Sequence, residues 1–153
     1  MQRIMHELKY QGNRDAGRVL GRLLGDRLLS SKRFQGIDII IPMPLHPDKE
    51  KARGYNQTTM IGEGLQEVLG VPLVTDAVTK YRRTETQTRK NRMDRWQNVT
   101  GVFQTADPAM MQGKKILLVD DVVTTGASLE ACGTVICQSA PSELFIATAA
   151  YAE

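Results

Sequence analysis

Apolar and polar positions switch between two periods along this chain, and the switches lay out its elements. From Asn13 the apolar residues Ala16, Val19, Leu20, Leu23, Leu24 and Leu28 recur at helical spacing, with Asn13 or Asp15 placed to cap the start. A shorter helix carrying Ile4, Met5 and Leu8 is predicted ahead of it, broken near Gln11 and Gly12. Residues 37–41 form a nearly continuous β-branched run that suits a buried parallel strand, ended by Pro42 and Pro44. The stretch from 43 to 55 reads as a polar, basic loop. A helix then starts at Asn56 or Thr58, runs through Met60, Ile61, Leu65, Val68 and Leu69, and closes at Gly70. Residues 71–78 read as a second strand and 99–103 as a short one. A buried strand at 116–119, a turn at 120–126, a helix at 127–138 and a final strand at 144–150 complete the chain.

Strands alternating with helices predict an α/β fold with a mostly parallel, twisted sheet flanked by helices, in one domain over residues 1–153. In such sheets a ligand sits beyond the carboxyl ends of the strands. Two loops leave those ends with distinctive chemistry, 42–57 and 120–128.

Composition narrows the classes. At 153 residues, 41% hydrophobic and 24% charged, the chain is long enough for a real core and too apolar for disorder. No apolar run approaches the ~18 residues that cross a bilayer, so a cytoplasmic protein without membrane insertion is expected. The net charge of +3 is mild, but residues 80–95 hold seven basic side chains against two acidic ones. That concentration suits a phosphate-rich ligand or nucleic acid, as well as a merely solvated loop. Cys132 and Cys137 are five apart in a predicted helix, too far round it for a disulfide or a metal pair, so reduced, buried thiols are expected.

The chemistry concentrates in residues 116–128, ILLVDDVVTTGAS. A buried strand delivers two adjacent carboxylates, Asp120 and Asp121, to the sheet edge. The chain then passes through Val123, Thr124, Thr125, Gly126, Ala127 and Ser128 into a helix start. The turn can aim several backbone N–H groups at one point, and the helix adds its positive end, so a phosphate dianion fits there. Gly126 permits close approach or positive φ. The acidic pair suits something hydroxylated, cationic or metal-bound, and a ribose 5-phosphate satisfies both halves. A phosphoacceptor receiver domain also opens with paired aspartates, but it needs a later aspartate and lysine, and neither type follows Asp121. The Gly-Lys-Ser/Thr of a P-loop is absent too. A surface turn that only caps a helix is the plainest alternative.

The segment LLVDDVVTTGAS resembles the phosphoribosyl pyrophosphate (PRPP) loop of type I phosphoribosyltransferases. Residues 8–12 (LKYQG), 42–46 (PMPLH), 53–57 (RGYNQ) and Thr86-Gln87 followed by Arg92 resemble the blocks of the competence protein F (ComF) family. Many members of that family carry a four-cysteine zinc ribbon at the front, which two cysteines do not allow here. The resemblance implies that Asp120 and Asp121 bind the ribose hydroxyls and hold Mg2+, and that residues 123–128 hold the 5-phosphate. It implies that Pro42, Met43, Pro44 and Arg53 meet the pyrophosphate. Residues 80–103 would be a hood over the site, with Arg82, Arg83, Arg89 and Arg92 as further pyrophosphate candidates. Two function classes follow. One is a phosphoribosyltransferase using Mg-PRPP and an unidentified acceptor. The other is a non-catalytic component of DNA uptake that binds PRPP or single-stranded DNA. Homodimer formation is left open.

Overall fold

The computed structural model describes residues 14–81 and 102–152. The expected first helix, the block at 8–12 and most of the hood lie outside them. In order, the described elements are α1 (Arg14–Leu29), a 3-10 turn (Lys32–Phe34), β1 (Ile39–Pro42), α2 (Pro47–Arg53), α3 (Gln57–Leu69), β2 (Val78–Lys80), β3 (Phe103–Thr105), a second 3-10 turn (Pro108–Met110), β4 (Lys115–Val123), α4 (Ala127–Cys137) and β5 (Glu143–Tyr151).

Three parallel strands form the main sheet in the order β1-β4-β5, with β4 central. The pleat of β4 sends alternate side chains into two separate cores. Ile116 and Leu118 join Ile39, Ile41, Cys132 and Ile136 on the face covered by α4 and by the antiparallel β2-β3 ribbon. Leu117 and Val119 join Ile40, Ile61, Leu65 and Leu28 on the face covered by α1 and α3. Residues 116–119 are wholly shielded from solvent, which is why this stretch is apolar without alternation.

Several boundaries differ from the sequence reading. The strand expected at 71–78 reduces to one parallel bridge between Leu73 and Ile40, since Pro72 brings no N–H to a ladder. Val78–Lys80 belongs instead to the ribbon. The supposed loop at 43–55 contains α2, capped by the His46 imidazole, begun by Pro47 and ended by Gly54. β4 runs through both aspartates, so the turn shrinks to Thr124–Gly126. Both cysteines are free, but only Cys132 is buried.

The apolar stripe of α1 is also not what the spacing implied. Val19 and Leu23 are exposed, and the face turned inward carries Gly17, Gly21 and Gly25 with Leu28. A Cβ on Gly21 would stand 2.1 Å from the Ile61 carbonyl oxygen, and one on Gly64 would stand 2.1 Å from that of Arg18. The two helices therefore meet backbone to backbone. Arg18 to Glu63 (2.6 Å) and Arg22 to Glu67 (2.8 Å) tie them together beside the seam.

Gly21→Ala and Gly64→Ala are each expected to lower stability by about 2–3 kcal/mol, because neither backbone can yield without parting the helices. Urea unfolding measures this, and wild-type midpoints in both variants would contradict the close contact.

Candidate active site

The pleat divides the two carboxylates. Asp120 follows Ile116 and Leu118 toward the α4 and ribbon side, and Asp121 follows Leu117 and Val119 toward α3. Each then curls along the strand to take a neighbouring backbone N–H: that of Asp121 donates to Asp120 Oδ1, and that of Val122 donates to Asp121 Oδ1, both at 2.8 Å. Asp121 is buried, and its Oδ2 accepts a hydrogen bond from the Gln57 side-chain amide at 3.0 Å.

On the other side, Asp120 lies in the electrostatic reach of Lys80 and Cys132. Burial first, and the charge of Asp121 second, push the Asp120 carboxyl up to about 7. Burial also pushes the Cys132 thiol up to about 12, with Asp120 adding to it. Lys80, half-buried with its ammonium 5.3 Å from the centre of the Phe103 ring, is held below the usual lysine range by burial and then by Lys49.

Beyond the acidic pair the chain turns sharply. Gly126 has φ +78° and stands at the N-cap of α4, where it brings no side chain to cap the helix. By contrast α3 is capped by Asn56 and α2 by His46. Thr125 Oγ1 reaches the Ala127 N–H only at 3.4 Å. Thr124, Thr125, Ala127 and Ser128 are exposed and Gly126 and Val123 partly so. The N–H groups and dipole of an eleven-residue helix thus face solvent just past the end of β4, with only residues 124–126 between.

Pro42, Met43 and Pro44 run beside this edge. Pro42 pairs with Val119, and the Met43 N–H donates to the Val119 carbonyl at 2.7 Å, one residue short of Asp120. The Asn56 side chain donates to the Met43 carbonyl at 3.0 Å and so closes the loop around α2. Arg53 ends α2, and its guanidinium donates to the Gln57 side-chain Oε1.

A model of the phosphoribosyl transferase domain family matches residues 59–152. The chain belongs to that family. Among relatives, competence protein F of Haemophilus influenzae is 32% identical over 82% of this chain and 57% of its own length. The DNA utilization protein YhgH of Escherichia coli K12 is 32% identical over 82% and 56%. The chain therefore spans about half the length of the curated relatives it matches, and the resemblance to the ComF family is borne out. The glutamine PRPP amidotransferase of B. subtilis superposes with a TM-score of 0.61 at 19% identity, covering 89% of this chain and 26% of that one. A hypoxanthine phosphoribosyltransferase from Staphylococcus aureus gives 0.53 at 17%, covering 89% and 63%. These likenesses establish the type I phosphoribosyltransferase fold expected from the sequence.

The fold thus brings Asp120, Asp121, Pro42, Met43, Pro44, Arg53 and residues 123–128 to one end of the sheet. Arg82, Arg83, Arg89 and Arg92 lie outside the described residues. One group beside the acidic pair escaped the sequence reading as a site residue, Gln57, noticed only within a motif; Lys49, set in a stretch read as loop, acts on Lys80. The four-residue spacing of Arg53 and Gln57 across a helix end was the available signal. Among the described residues no three His, Cys, Asp or Glu side chains gather into a metal cage, and no helix is long and apolar enough to cross a membrane.

Asp120 has a definite pH signature. Between its ordinary 3.8 and about 7 the folded chain keeps a proton that the unfolded chain has released. This carboxyl therefore makes the fold progressively less stable as pH rises through that window, and no further above it. Asp120→Asn, neutral throughout, is expected to flatten the slope and to add roughly 2–4 kcal/mol at pH 8. Urea unfolding at pH 5 and pH 8 measures it; identical slopes in the two proteins would contradict the burial of this charge.

Proposed function

We propose that this chain binds Mg-PRPP at the carboxyl end of β4 and transfers its phosphoribosyl group to an acceptor, releasing pyrophosphate. The observation that carries the reading is the juxtaposition of two carboxylates with the uncapped, glycine-turned N-terminus of α4. That pairing fits a ligand with an anion at one end and hydroxyls plus a cation beside it.

In this reading the N–H groups of residues 124–128, with the hydroxyls of Thr124, Thr125 and Ser128, take the 5-phosphate. Asp120 accepts from the ribose hydroxyls and, with Asp121, forms an acidic rim for the cation. Two carboxylates without a closed cage suit Mg2+, which keeps few protein ligands and fills its shell with water and substrate oxygens. When bound, it neutralises the charge that develops on departing pyrophosphate. Pro42, Met43 and Pro44 supply the wall along which pyrophosphate lies, and Lys49 and Lys80 place positive charge near it. Carboxylates on the ribose side and cations on the leaving-group side oppose the charges that separate as the C1–O bond breaks. The hood, with Arg82, Arg83, Arg89 and Arg92, would exclude water that otherwise hydrolyses the sugar.

The names of the relatives favour a second reading, a non-catalytic component of DNA uptake that binds PRPP or single-stranded DNA. Steep weakening of DNA binding with salt, and no pyrophosphate release with any acceptor, would mark it.

Calorimetric titration of PRPP with and without Mg2+ tests the proposal, with ribose 5-phosphate and pyrophosphate as controls. Mg-dependent binding tighter than that of either fragment is expected. The double variant Asp120→Asn, Asp121→Asn should bind at least about tenfold more weakly while remaining folded. No heat and no thermal stabilisation at millimolar PRPP would reject the reading.

A further inference from the structure

We infer that Gln57 is a positioning residue: its side-chain amide, anchored by Arg53, fixes the orientation of the Asp121 carboxylate at the acidic rim. The inference rests on the ligand reading above and identifies a determinant of that site outside the acidic pair.

Gln57 is the first residue of α3 and is buried, an uncommon place for an uncharged amide unless both its ends are satisfied. Here both are. Its Oε1 accepts from the Arg53 guanidinium, and its Nε2 donates to Asp121 Oδ2 at 3.0 Å. Polarised by a cation on the oxygen side, the amide is a stronger donor on the nitrogen side. The arrangement also keeps the guanidinium one side chain away from the carboxylate.

The backbone around Gln57 is fixed from several directions, so the amide has little latitude. Gly54 ends α2, and its carbonyl accepts from Arg14 at 3.2 Å. The Arg14 guanidinium also lies 5.4 Å from the centre of the buried Tyr55 ring. Asn56 caps α3 through its Oδ1 and holds the Met43 carbonyl through its Nδ2. Because Asn56 already provides the cap, Gln57 is not needed for one. An apolar side chain of similar size would fill the same buried space, so packing does not require the amide either.

A double-mutant cycle on Mg-PRPP affinity tests this, using wild type, Gln57→Leu, Asp121→Asn and the double variant, each with its melting temperature. Gln57→Leu is expected to weaken binding about tenfold, the lower end of what outer-shell partners of a ligand group contribute. The double variant should bind no more weakly than Asp121→Asn alone, because Gln57 acts through that carboxylate. Wild-type affinity in Gln57→Leu, or losses that simply add, would overturn the inference. Should Gln57→Leu fail to fold, Gln57→Glu keeps the shape and sets a second negative charge against Asp121; a loss of tenfold or more supports the inference, and wild-type affinity overturns it. Absence of Mg-PRPP binding by the wild type removes the ligand reading and this inference together, an outcome the wild-type titration separates from the others.

Discussion

Two adjacent carboxylates at the end of a strand buried on both faces carry a desolvation cost that the surrounding chain must offset. The remainder of this end of the molecule answers that constraint. The pleat separates the two side chains onto opposite faces of the sheet, and each takes one backbone N–H from its own strand. Asp121 receives a further donor, the Gln57 amide, which the α2–α3 corner delivers. Asp120 is left on the ribbon side, where burial and its neighbour raise its pKa and Lys80 partly counters them. One member of the pair is thus held by a donor from α3, while the other faces a cationic, half-buried lysine. Adjacent residues of one type acquire different roles because a strand has period two.

The close approach of α1 and α3 belongs to the same solution. Asn56 and Gln57 reach the Met43 carbonyl and Asp121 only if the start of α3 lies hard against the carboxyl end of β1 and β4. The glycine seam lets α1 press on α3 without intervening side chains, and Arg14 at the start of α1 touches the Gly54 carbonyl and the Tyr55 ring. Packing on one face of the sheet therefore runs continuously into the orientation of a carboxylate at its edge.

Much of this was legible in the sequence. The apolar run at 116–119, the paired aspartates and the Thr-Thr-Gly turn gave the central strand, the acidic rim and the positive-φ residue from chemistry that acts within a few positions. Asn56 and Gly70 bracketed α3 correctly, since caps are local. What escaped were features set by distant partners. The seam of Gly17, Gly21 and Gly25 carries no hydrophobic signal because its value lies in the backbone it admits, and Val19 and Leu23 fall in the apolar stripe because hydrophobicity alone does not say which face a neighbour takes. Helix α2 escaped because its cap is a histidine, a residue seldom read as one. Gln57 escaped because its partner lies 64 residues away. Residues 71–78 read as a strand, somewhat interrupted, from Val71, Leu73, Val74 and Val78, and Pro72 limits them to one bridge.

The central claim is that the end of β4 and the start of α4 form one ligand site. Amide chemical shifts recorded while Mg-PRPP is added to the isotopically labelled protein test it most directly. The account predicts that the largest changes fall on the amides of Asp120 to Val122 and of Thr125 to Ser128, moving together and saturating at one ligand concentration. Saturable changes confined to other parts of the chain, with these amides still, would contradict it.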